Sequence, residues 1–406
     1  MTIHDDPPPQ RQRAVAPDLA RGLMLLFIAL ANVPWFLYGA PTALTSAHRA
    51  DATGLDVVWQ TIAIVAIDGR SYPLFAFLFG YGIWQLYTRQ QAAGVDEKSA
   101  RRLLQLRHLW MIVFGGVHAA LLWQGDVLGA YGLCGLIMVW LFLRRQTATL
   151  RRWIIGLFTM LAIATISGSV VGLLLPMEEA AAMVQPTVPQ LAGTESYLDS
   201  ILPRFLFWSP LVVAQGLLGF VVPIAVLLAI VCARRRILES PETHRRLLMR
   251  TAVVGIAIGW LGAVPAALVH HGIWELPDWA PTLLHLLTGL CGGIGYAALF
   301  GLIAARFADG RSPGALVGGL TAIGKRSLSC YLVQSVIFAP LLAAWGLGLG
   351  ATLTEWQAAL IAVAAWLVSM VFAIALERAG KRGPAEWLLR RLAYRGRRSS
   401  ATPVAR

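Results

Sequence analysis

The sequence predicts an all-α polytopic integral membrane protein with about ten transmembrane helices and both termini in the cytoplasm. Hydrophobic residues make up 57% of the 406 residues, and only 14% are charged. Soluble domains carry roughly 25% charged residues, so this surface is too apolar for water. The formal charge of +13 would suggest nucleic acid in a soluble protein. Here the basic residues form short runs between long apolar segments, which excludes a soluble enzyme or a nucleic-acid-binding protein and makes membrane lipids the expected surroundings.

The apolar segments have the length that a bilayer requires. Crossing a hydrocarbon core of about 30 Å takes roughly 17–25 residues in a helix. The chain contains ten such segments, namely Leu19–Tyr38, Tyr72–Tyr87, His108–Trp123, Val127–Leu143, Trp153–Leu175, Ser209–Cys232, Thr251–Val269, Pro281–Ala305, Leu328–Leu347 and Trp356–Leu376.

The distribution of basic residues predicts the orientation. With a cytoplasmic amino terminus, all of the 34 Lys and Arg residues lie on the inner side except Arg49, Arg70 and Arg204. Such a bias is typical of cytoplasmic loops, so both ends are expected in the cytoplasm. The expected location is the bacterial cytoplasmic (inner) membrane.

The segment that leads into the second span is too long for one straight helix. Asp68-Gly69-Arg70 interrupts it, so Leu55–Ile67 is predicted as a short interfacial or re-entrant helix before the span. Irregular backbone at membrane depth persists only beside protein or a water-filled cavity, which makes this break a candidate cavity wall. No internal repeat of the kind that is typical of transporters is evident in the sequence.

The chain is predicted as a single transmembrane domain over residues 18–394, with an outer cap loop at about 176–208. Residues 1–17 are expected to be a disordered cytoplasmic tail and residues 395–406 a basic one. The four cysteines all lie in apolar segments without C-x-x-C spacing, so neither a disulfide framework nor a metal site is expected.

Polar residues inside the first span suggest a substrate path. Arg21 and Asn32 are eleven residues apart, close to three helical turns, and therefore share one face. An arginine suits a phosphate or carboxylate. Alternatively, Arg21 extends to the interface and pairs with Asp18, and Asn32 bonds a neighbouring helix.

His118 in the third span is a candidate general base. Its carboxylate partner would be Asp126, across a turn, or Asp68, since a carboxylate orients an imidazole and raises its basicity. Asp126 could instead cap the fourth span.

Further candidates lie in the later spans. His270 and His271 end the seventh span and are more typical of surface residues, whereas His285, at the start of the eighth, is a candidate cavity residue. Ser327, Tyr331 and Gln334 form a polar stripe along the ninth span, which could line a cavity or join helices. Arg70, in the break, is also assigned to the cavity. Gly289-x-x-x-Gly293 predicts a close-packing face without chemistry.

Five phrases in order resemble a known family. They are Asp18-Leu-Ala-Arg-Gly22, the run from Pro73 to Gly82, Gly125-Asp126 with Tyr131-Gly132, the run from Gly324 to Ser335, and Gly383-Pro-Ala-Glu-Trp387 with Arg390-Arg391. Together they resemble the YeiB family of bacterial integral membrane proteins, a family named for its unknown function, from about Asp18 to Tyr394.

That resemblance implies a more distant one, to transmembrane acyltransferases that carry an acyl group from cytoplasmic acyl-CoA to an acceptor across the membrane. The sugar O-acyltransferases have a histidine where this chain has Asn32. The heparan-type enzymes have an asparagine nearby and use a histidine further along. His48 is the nearest downstream histidine, but its surroundings do not match their motif, so the role is not carried over to it.

Two functions follow from this pattern. The first is a membrane-embedded acyltransferase in which Arg21 holds acyl-CoA phosphates, His118 deprotonates a lipid or sugar acceptor, and Asn32 or Gln334 stabilises the oxyanion. Acyl-CoA would be a co-substrate, and no bound cofactor is expected. The alternative is a transporter or lipid-binding membrane protein without covalent chemistry. A homodimer through a glycine-rich face is compatible with either function.

Overall fold

The computed structural model describes residues 15–42, 46–175, 190–307 and 314–394. These residues are almost entirely helical, and they contain no strand beyond an isolated antiparallel bridge between Thr42 and Arg49. The basic carboxy-terminal tail and most of the amino-terminal tail predicted from the sequence lie outside the described residues.

The described helices are numbered α1 to α15 in chain order. They are α1 (Val15–Asn32), α2 (Leu55–Ile62), α3 (Ser71–Ala92), α4 (Glu97–Leu121), α5 (Leu128–Leu141), α6 (Thr147–Leu174), α7 (Tyr197–Val213), α8 (Val221–Arg234), α9 (Arg245–Leu261), α10 (Val264–His270), α11 (Thr282–Ala305), α12 (Ala315–Lys325), α13 (Ser327–Leu342), α14 (Glu355–Arg378) and α15 (Pro384–Ala393).

Seven helical segments of the described chain are long and apolar enough to cross a membrane. They are Pro17–Phe36, Leu55–Ala92, Thr147–Leu174, Tyr197–Leu218, Arg245–His270, Thr282–Ala305 and Glu355–Arg378. Helices α5, α8, α12 and α13 are apolar but shorter. The chain is therefore a multi-pass helical membrane protein, as its hydropathy predicts.

The predicted break before the second span is present. Helix α2 continues as a π-helical turn over Ala63–Ile67, and Gly69 then takes a φ of +70°, a conformation that glycine adopts without strain. Helix α3 starts two residues later. A Cβ on Gly69 would lie 2.7 Å from Nε2 of His285, so the close approach of that ring also requires glycine.

The prediction of one continuous span over Ser209–Cys232 is wrong. Helix α7 ends in a second π-helical turn, Ala214–Leu218, and Phe220 has a left-handed backbone with φ +57°. An L-residue in that conformation cannot continue a right-handed helix, so α8 starts separately at Val221.

The prediction of an outer cap loop at about 176–208 is wrong in its second half. Residues 176–189 lie outside the described part of the chain, but α7 already begins at Tyr197. Ser196 caps this helix by accepting a hydrogen bond from the Asp199 backbone N–H. An apolar helix thus occupies the last part of the segment that was predicted as loop.

The two breaks give the chain a recurring order of elements that the sequence did not reveal. In each case a helix ends in a five-residue π-helical turn, a short break follows, and the next helix has proline as its third residue, Pro73 in α3 and Pro223 in α8. The two later helices pack closely, since a Cβ on Gly80 would lie 2.8 Å from Val226. A pair of interrupted helices therefore meets in the interior.

The glycine face predicted on the eighth span packs against the first break. A Cβ on Gly289 would lie 2.4 Å from the carbonyl oxygen of Gly69, and one on Gly293 would lie 2.8 Å from that of Arg70. The close-packing interpretation is confirmed. These glycines serve contacts inside the chain.

Candidate functional site: two cavities that meet end to end

One cavity, here called the basic cavity, has a volume of about 460 Å³. Its lining combines an apolar interior, which includes Ile28, Phe75 and Leu128, with two acidic residues, Asp18 and Glu386. Seven of the described Lys and Arg residues also line it, namely Arg21, Arg89, Arg107, Lys325, Arg326, Arg382 and Arg390. This excess of positive charge suits an anionic ligand that also carries an apolar part.

A second cavity of about 320 Å³, here called the histidine cavity, is lined by His48, His270 and His285. Its wall also contains two carboxylates and several aromatic and amide side chains, namely Asp68, Asp278, Asn32, Gln215, Trp35, Tyr72 and Trp123. Among the residues that the structure describes, its lining includes no Lys or Arg. This cavity suits a neutral or cationic polar ligand.

The two cavities are separated by a thin partition. Val127 belongs to both linings. On α1, Ile28 lines the basic cavity and Asn32 the histidine cavity, four residues apart, or about 6 Å along a helix. On α3, Tyr72 and Phe75 divide in the same way. Ligands in the two cavities would therefore approach each other closely at the partition.

His48 lies in the wall of the histidine cavity between two carboxylates. Its Nδ1 is 2.5 Å from Oε2 of Glu355, and its Nε2 is 2.7 Å from Oδ2 of Asp68. Gln60 and the Arg49 backbone N–H both donate to Glu355 Oε1. Burial alone would lower the pKa of His48, but the two carboxylates outweigh it and raise this pKa to about 10.

Arg70 and His285 hold the break that presents Asp68 to the cavity. Arg70 is fully buried and donates to the carbonyl oxygens of Ile64, Asp68 and Gly259, which the break and the end of α9 leave exposed. His285 Nε2 lies 3.0 Å from Arg70 Nη1. His285 also lies in the lining of this cavity, whereas Arg70, which the sequence assigns to the cavity, lies behind the lining.

His118 and Asp126 are brought together by the α4–α5 hairpin. His118 Nδ1 is 2.7 Å from Asp126 Oδ2, and Asp126 Oδ1 accepts from the Gly129 backbone N–H. Asp126 therefore contacts both the imidazole and the backbone at the start of α5. Tyr331 donates to Asp126 over 3.3 Å and lines the basic cavity.

His118 itself reaches neither cavity. The side chain is 2% exposed, and its Nε2 is buried without a hydrogen-bond partner among the described residues. The predicted alternative, a pairing of His118 with Asp68, is not formed, because Asp68 pairs with His48 instead. The accessible carboxylate of the predicted catalytic set is Asp68, whose side chain is 25% exposed.

The remaining predicted residues fall into different places. Arg21 pairs with Asp18 at 3.2 Å and lines the basic cavity, whereas Asn32 lines the other cavity, so the polar face of α1 is divided by the partition. Gln334 is buried and donates to the Leu25 carbonyl, which joins two helices without lining a cavity.

Sequence reasoning missed the His48 cluster. His48 and Glu355 are 307 positions apart, so no local spacing connects them. A signal was present in Asp56 and Glu355, acidic residues at the starts of apolar helices, because each needs a donor when it is buried. Asp56 accepts from the Trp356 backbone N–H, which joins α2 to α14 beside the cluster.

Three of the phrases that carry the family resemblance meet at the mouth of the basic cavity. Asp18 begins the first phrase, and a Cβ on Gly324, which begins the fourth, would lie 1.8 Å from its carbonyl oxygen. Glu386 of the fifth phrase accepts from the backbone N–H groups of Leu328 and Ser329. These phrases are therefore joined in one structural unit.

This architecture defines a multi-pass helical membrane protein with two adjacent cavities. Residues 232–396 match the family described as "Protein of unknown function (DUF418)". The chain is 28% identical over 404 residues to "Uncharacterized protein YeiB" of Escherichia coli (strain K12), with 95% of this chain and 97% of that protein covered. The predicted resemblance to the YeiB family is confirmed.

Two further relatives support this assignment. The chain is 26% identical over 404 residues to "Uncharacterized protein YxaH" of Bacillus subtilis (strain 168), with 93% of each protein covered. It is 34% identical over 134 residues to "Uncharacterized 39.9 kDa protein in amylase 3'region" of Bacillus acidopullulyticus, about a third of each chain. Similarity to YeiB and YxaH thus extends over nearly the whole length.

Proposed function

We propose that the chain is a membrane-embedded acyltransferase that moves an acyl group from acyl-CoA in the basic cavity to an acceptor in the histidine cavity. The observation that supports this proposal is that two cavities of different character are adjacent and share Val127 in their walls. A donor and an acceptor that enter from opposite sides would meet there, which provides the proximity that group transfer requires.

The proposed topology has ten spans in the inner membrane, with both termini in the cytoplasm. The spans are α1, α3, α4, α5, α6, α8, α9, α11, α13 and α14. Helices α2 and α7 then form outer, partly re-entrant arms that lead into the two breaks. This order puts the basic cavity on the cytoplasmic side, which agrees with the bias of Lys and Arg towards inner loops.

The proposed donor site uses Arg21 and Arg107 for the phosphates of acyl-CoA. Arg107 has no hydrogen bond or ion pair to any described residue, and its side chain is exposed within the cavity lining. An unpaired guanidinium in that position is available to a phosphate. The apolar lining beyond it would receive the pantetheine arm and the acyl chain.

The proposed proton acceptor is His48 rather than His118, because His48 lines a cavity and His118 Nε2 is enclosed. Glu355 orients the imidazole through Nδ1, and Nε2 faces Asp68. The two carboxylates keep this imidazole protonated. An acceptor hydroxyl that displaces Asp68 from Nε2 would therefore have to leave the Nε2 proton on Asp68, and the neutral imidazole that remains, oriented by Glu355, then faces the hydroxyl as a base.

The transfer would then proceed in two stages. The acceptor oxygen forms a bond to the thioester carbonyl carbon as His48 Nε2 takes the hydroxyl proton. Asn32, in the wall of the same cavity, donates to the oxyanion. The carbon–sulfur bond breaks, the thiolate takes the proton from His48, and free CoA and the acylated acceptor leave. His118 and Asp126 act as positioning residues beside the partition.

Acetyl-CoA binding to the purified chain in nanodiscs tests the proposal, together with acetyl transfer to water or an added polyol. Arg107→Gln should weaken binding at least tenfold. His48→Gln should bind normally and lose transfer, whereas His118→Gln should retain most of it. Arg151→Gln, an exposed arginine on α6, is the matched control. Absence of saturable binding by the wild-type chain would overturn the proposal.

A transporter is the second candidate, and one observation favours it. The paired interrupted helices α2–α3 and α7–α8 meet in the interior, and such pairs are typical of secondary transporters. Counterflow of a polyol in proteoliposomes that contain no acyl-CoA would support transport. In that case the basic cavity would be one access path and the partition a gate.

A further inference from the structure

Helix α15 lies at the end of the last apolar helix and presents two different faces. Glu386, Leu389, Arg390 and Ala393 follow helical spacing i, i+3, i+4, i+7, and all four line the basic cavity. Pro384, Trp387, Leu388 and Arg391 follow the same spacing on the other side and are exposed. One face therefore serves the cavity, and the other is exposed at the surface of the described chain.

An interlocked pair of helix caps fixes which face points inward. Glu386 Oε1 accepts from the Leu328 and Ser329 backbone N–H groups at the start of α13, and Ser329 Oγ accepts from the Ala385 N–H at the start of α15. Ser329 Oγ also lies 2.5 Å from Glu386 Oε2. Each helix thus caps the other, and the orientation of α15 is set by these bonds.

The interlock removes the only acid of α15 from its exposed face. The exposed face of α15 contains apolar and basic side chains. Trp387 is 50% and Leu388 is 41% exposed, and the Arg391 guanidinium lies 5.2 Å from the Trp387 ring centroid. Lys381 and Arg382, just before the helix, are also exposed. A short helix with a Trp-Leu edge beside several cations is typical of a segment that lies in the membrane interface.

We infer that the exposed face of α15 binds the headgroups of anionic phospholipids, so that one short helix is in contact with the membrane surface on one side and walls the basic cavity on the other. Charge complementarity determines the occupant, since the exposed Lys381 and Arg391 attract an anionic lipid surface. The inference depends on α14 crossing the membrane and does not depend on acyl transfer.

A spin label at Leu388→Cys tests this inference, in a Cys232→Ala, Cys291→Ala background because those two thiols are only half-buried. The label should be accessible to oxygen and protected from a water-soluble nickel chelate. Protection should increase when phosphatidylglycerol is added to phosphatidylcholine nanodiscs. A label open to the nickel chelate in both lipids, or shielded from both reagents as in a protein interface, would overturn the inference.

Substitution of basic residues distinguishes binding of anionic lipid headgroups from mere burial of the spin label. Lys381→Gln and Arg391→Gln should each raise the phosphatidylglycerol content needed for half-maximal protection about fivefold. Arg151→Gln and Arg152→Gln on α6 remove exposed charges elsewhere and should leave it unchanged. An equal effect of both pairs would mean a general charge effect and would overturn the assignment to α15. Failure of acetyl transfer alone would leave these results unaffected.

Discussion

The Nδ1 of His48 lies 2.5 Å from Oε2 of Glu355, although 307 positions separate the two residues. This contact ties the loop after α1 to the first residue of α14 and orients the imidazole in the wall of the histidine cavity. Because Asp68 occupies the other nitrogen, one side chain links the first break to the last apolar helix. The cluster is thus both a structural junction and the proposed catalytic centre.

Stability should depend on pH through His48. Its pKa is raised from 6.5 to about 10, so protonation is favoured in the folded chain more than in the unfolded chain. The resulting stabilisation is complete below pH about 6.5, declines as pH rises, and is lost above about 10. Thermal unfolding in detergent at several pH values should show that the difference in stability between wild type and His48→Gln decreases across that interval.

The outcome that contradicts this prediction is a pH-independent difference between the two proteins. His244→Gln is a suitable control, because His244 lies at the start of α9 outside both cavities and should show no comparable change.

Glu355→Gln should separate orientation of the base from binding. Loss of the carboxylate on Nδ1 removes the group that fixes the imidazole, so transfer should fall by about 10²–10⁴-fold. Binding of acetyl-CoA in the basic cavity should change by less than about twofold, because Glu355 does not line that cavity. Parallel binding and single-turnover measurements check both parts, and a matching loss of binding would contradict the assigned role.

Asp126→Ala should destabilise the chain by about 2–5 kcal/mol, since it leaves buried His118 and the Gly129 N–H without their partner. Asp126→Asn keeps an acceptor for the cap and should cost less. Asp51→Ala removes an exposed ion pair with Arg49 and should cost at most about 1 kcal/mol. Chemical unfolding in detergent compares the three, and equal effects of Asp126→Ala and Asp51→Ala would contradict the prediction.

Local pattern was sufficient to predict some of these contacts. The eight-residue separation of His118 and Asp126 spans one hairpin, so proximity followed from adjacent helices. Glycine and a charged pair marked the break at Gly69. No such residues indicate the break at Phe220. The positive φ of an aromatic residue is imposed by tertiary packing and does not follow from its backbone propensity.

Tertiary packing also explains why the sequence could not predict that Arg21 and Asn32 of α1 line different cavities. Helical spacing correctly put Arg21 and Asn32 on one face. The partition that separates them is built from α3 and from Val127, which only the tertiary fold brings to that face. In the same way, the His48 cluster depends on elements from distant parts of the chain, and pairwise spacing carries no information about it.

Gly383→Ala should break the interlock between α13 and α15. A Cβ at this position would lie 2.0 Å from Glu386 Oε2 and 2.4 Å from Ser329 Oγ, so both caps would have to shift. Loss of two caps should cost about 1–3 kcal/mol and should also weaken acetyl-CoA binding, because Arg390 loses its support. Gly156→Ala is the matched control. Apart from its chain neighbours and the local helix backbone, no described atom lies within 4 Å of its added Cβ on α6, so this change should stabilise the chain by up to about 1 kcal/mol. Unfolding measurements should show a loss of stability for Gly383→Ala and a gain for Gly156→Ala, and binding of acetyl-CoA should be weakened only by Gly383→Ala. If Gly383→Ala changed neither stability nor binding, the interlock would not hold α15 in place.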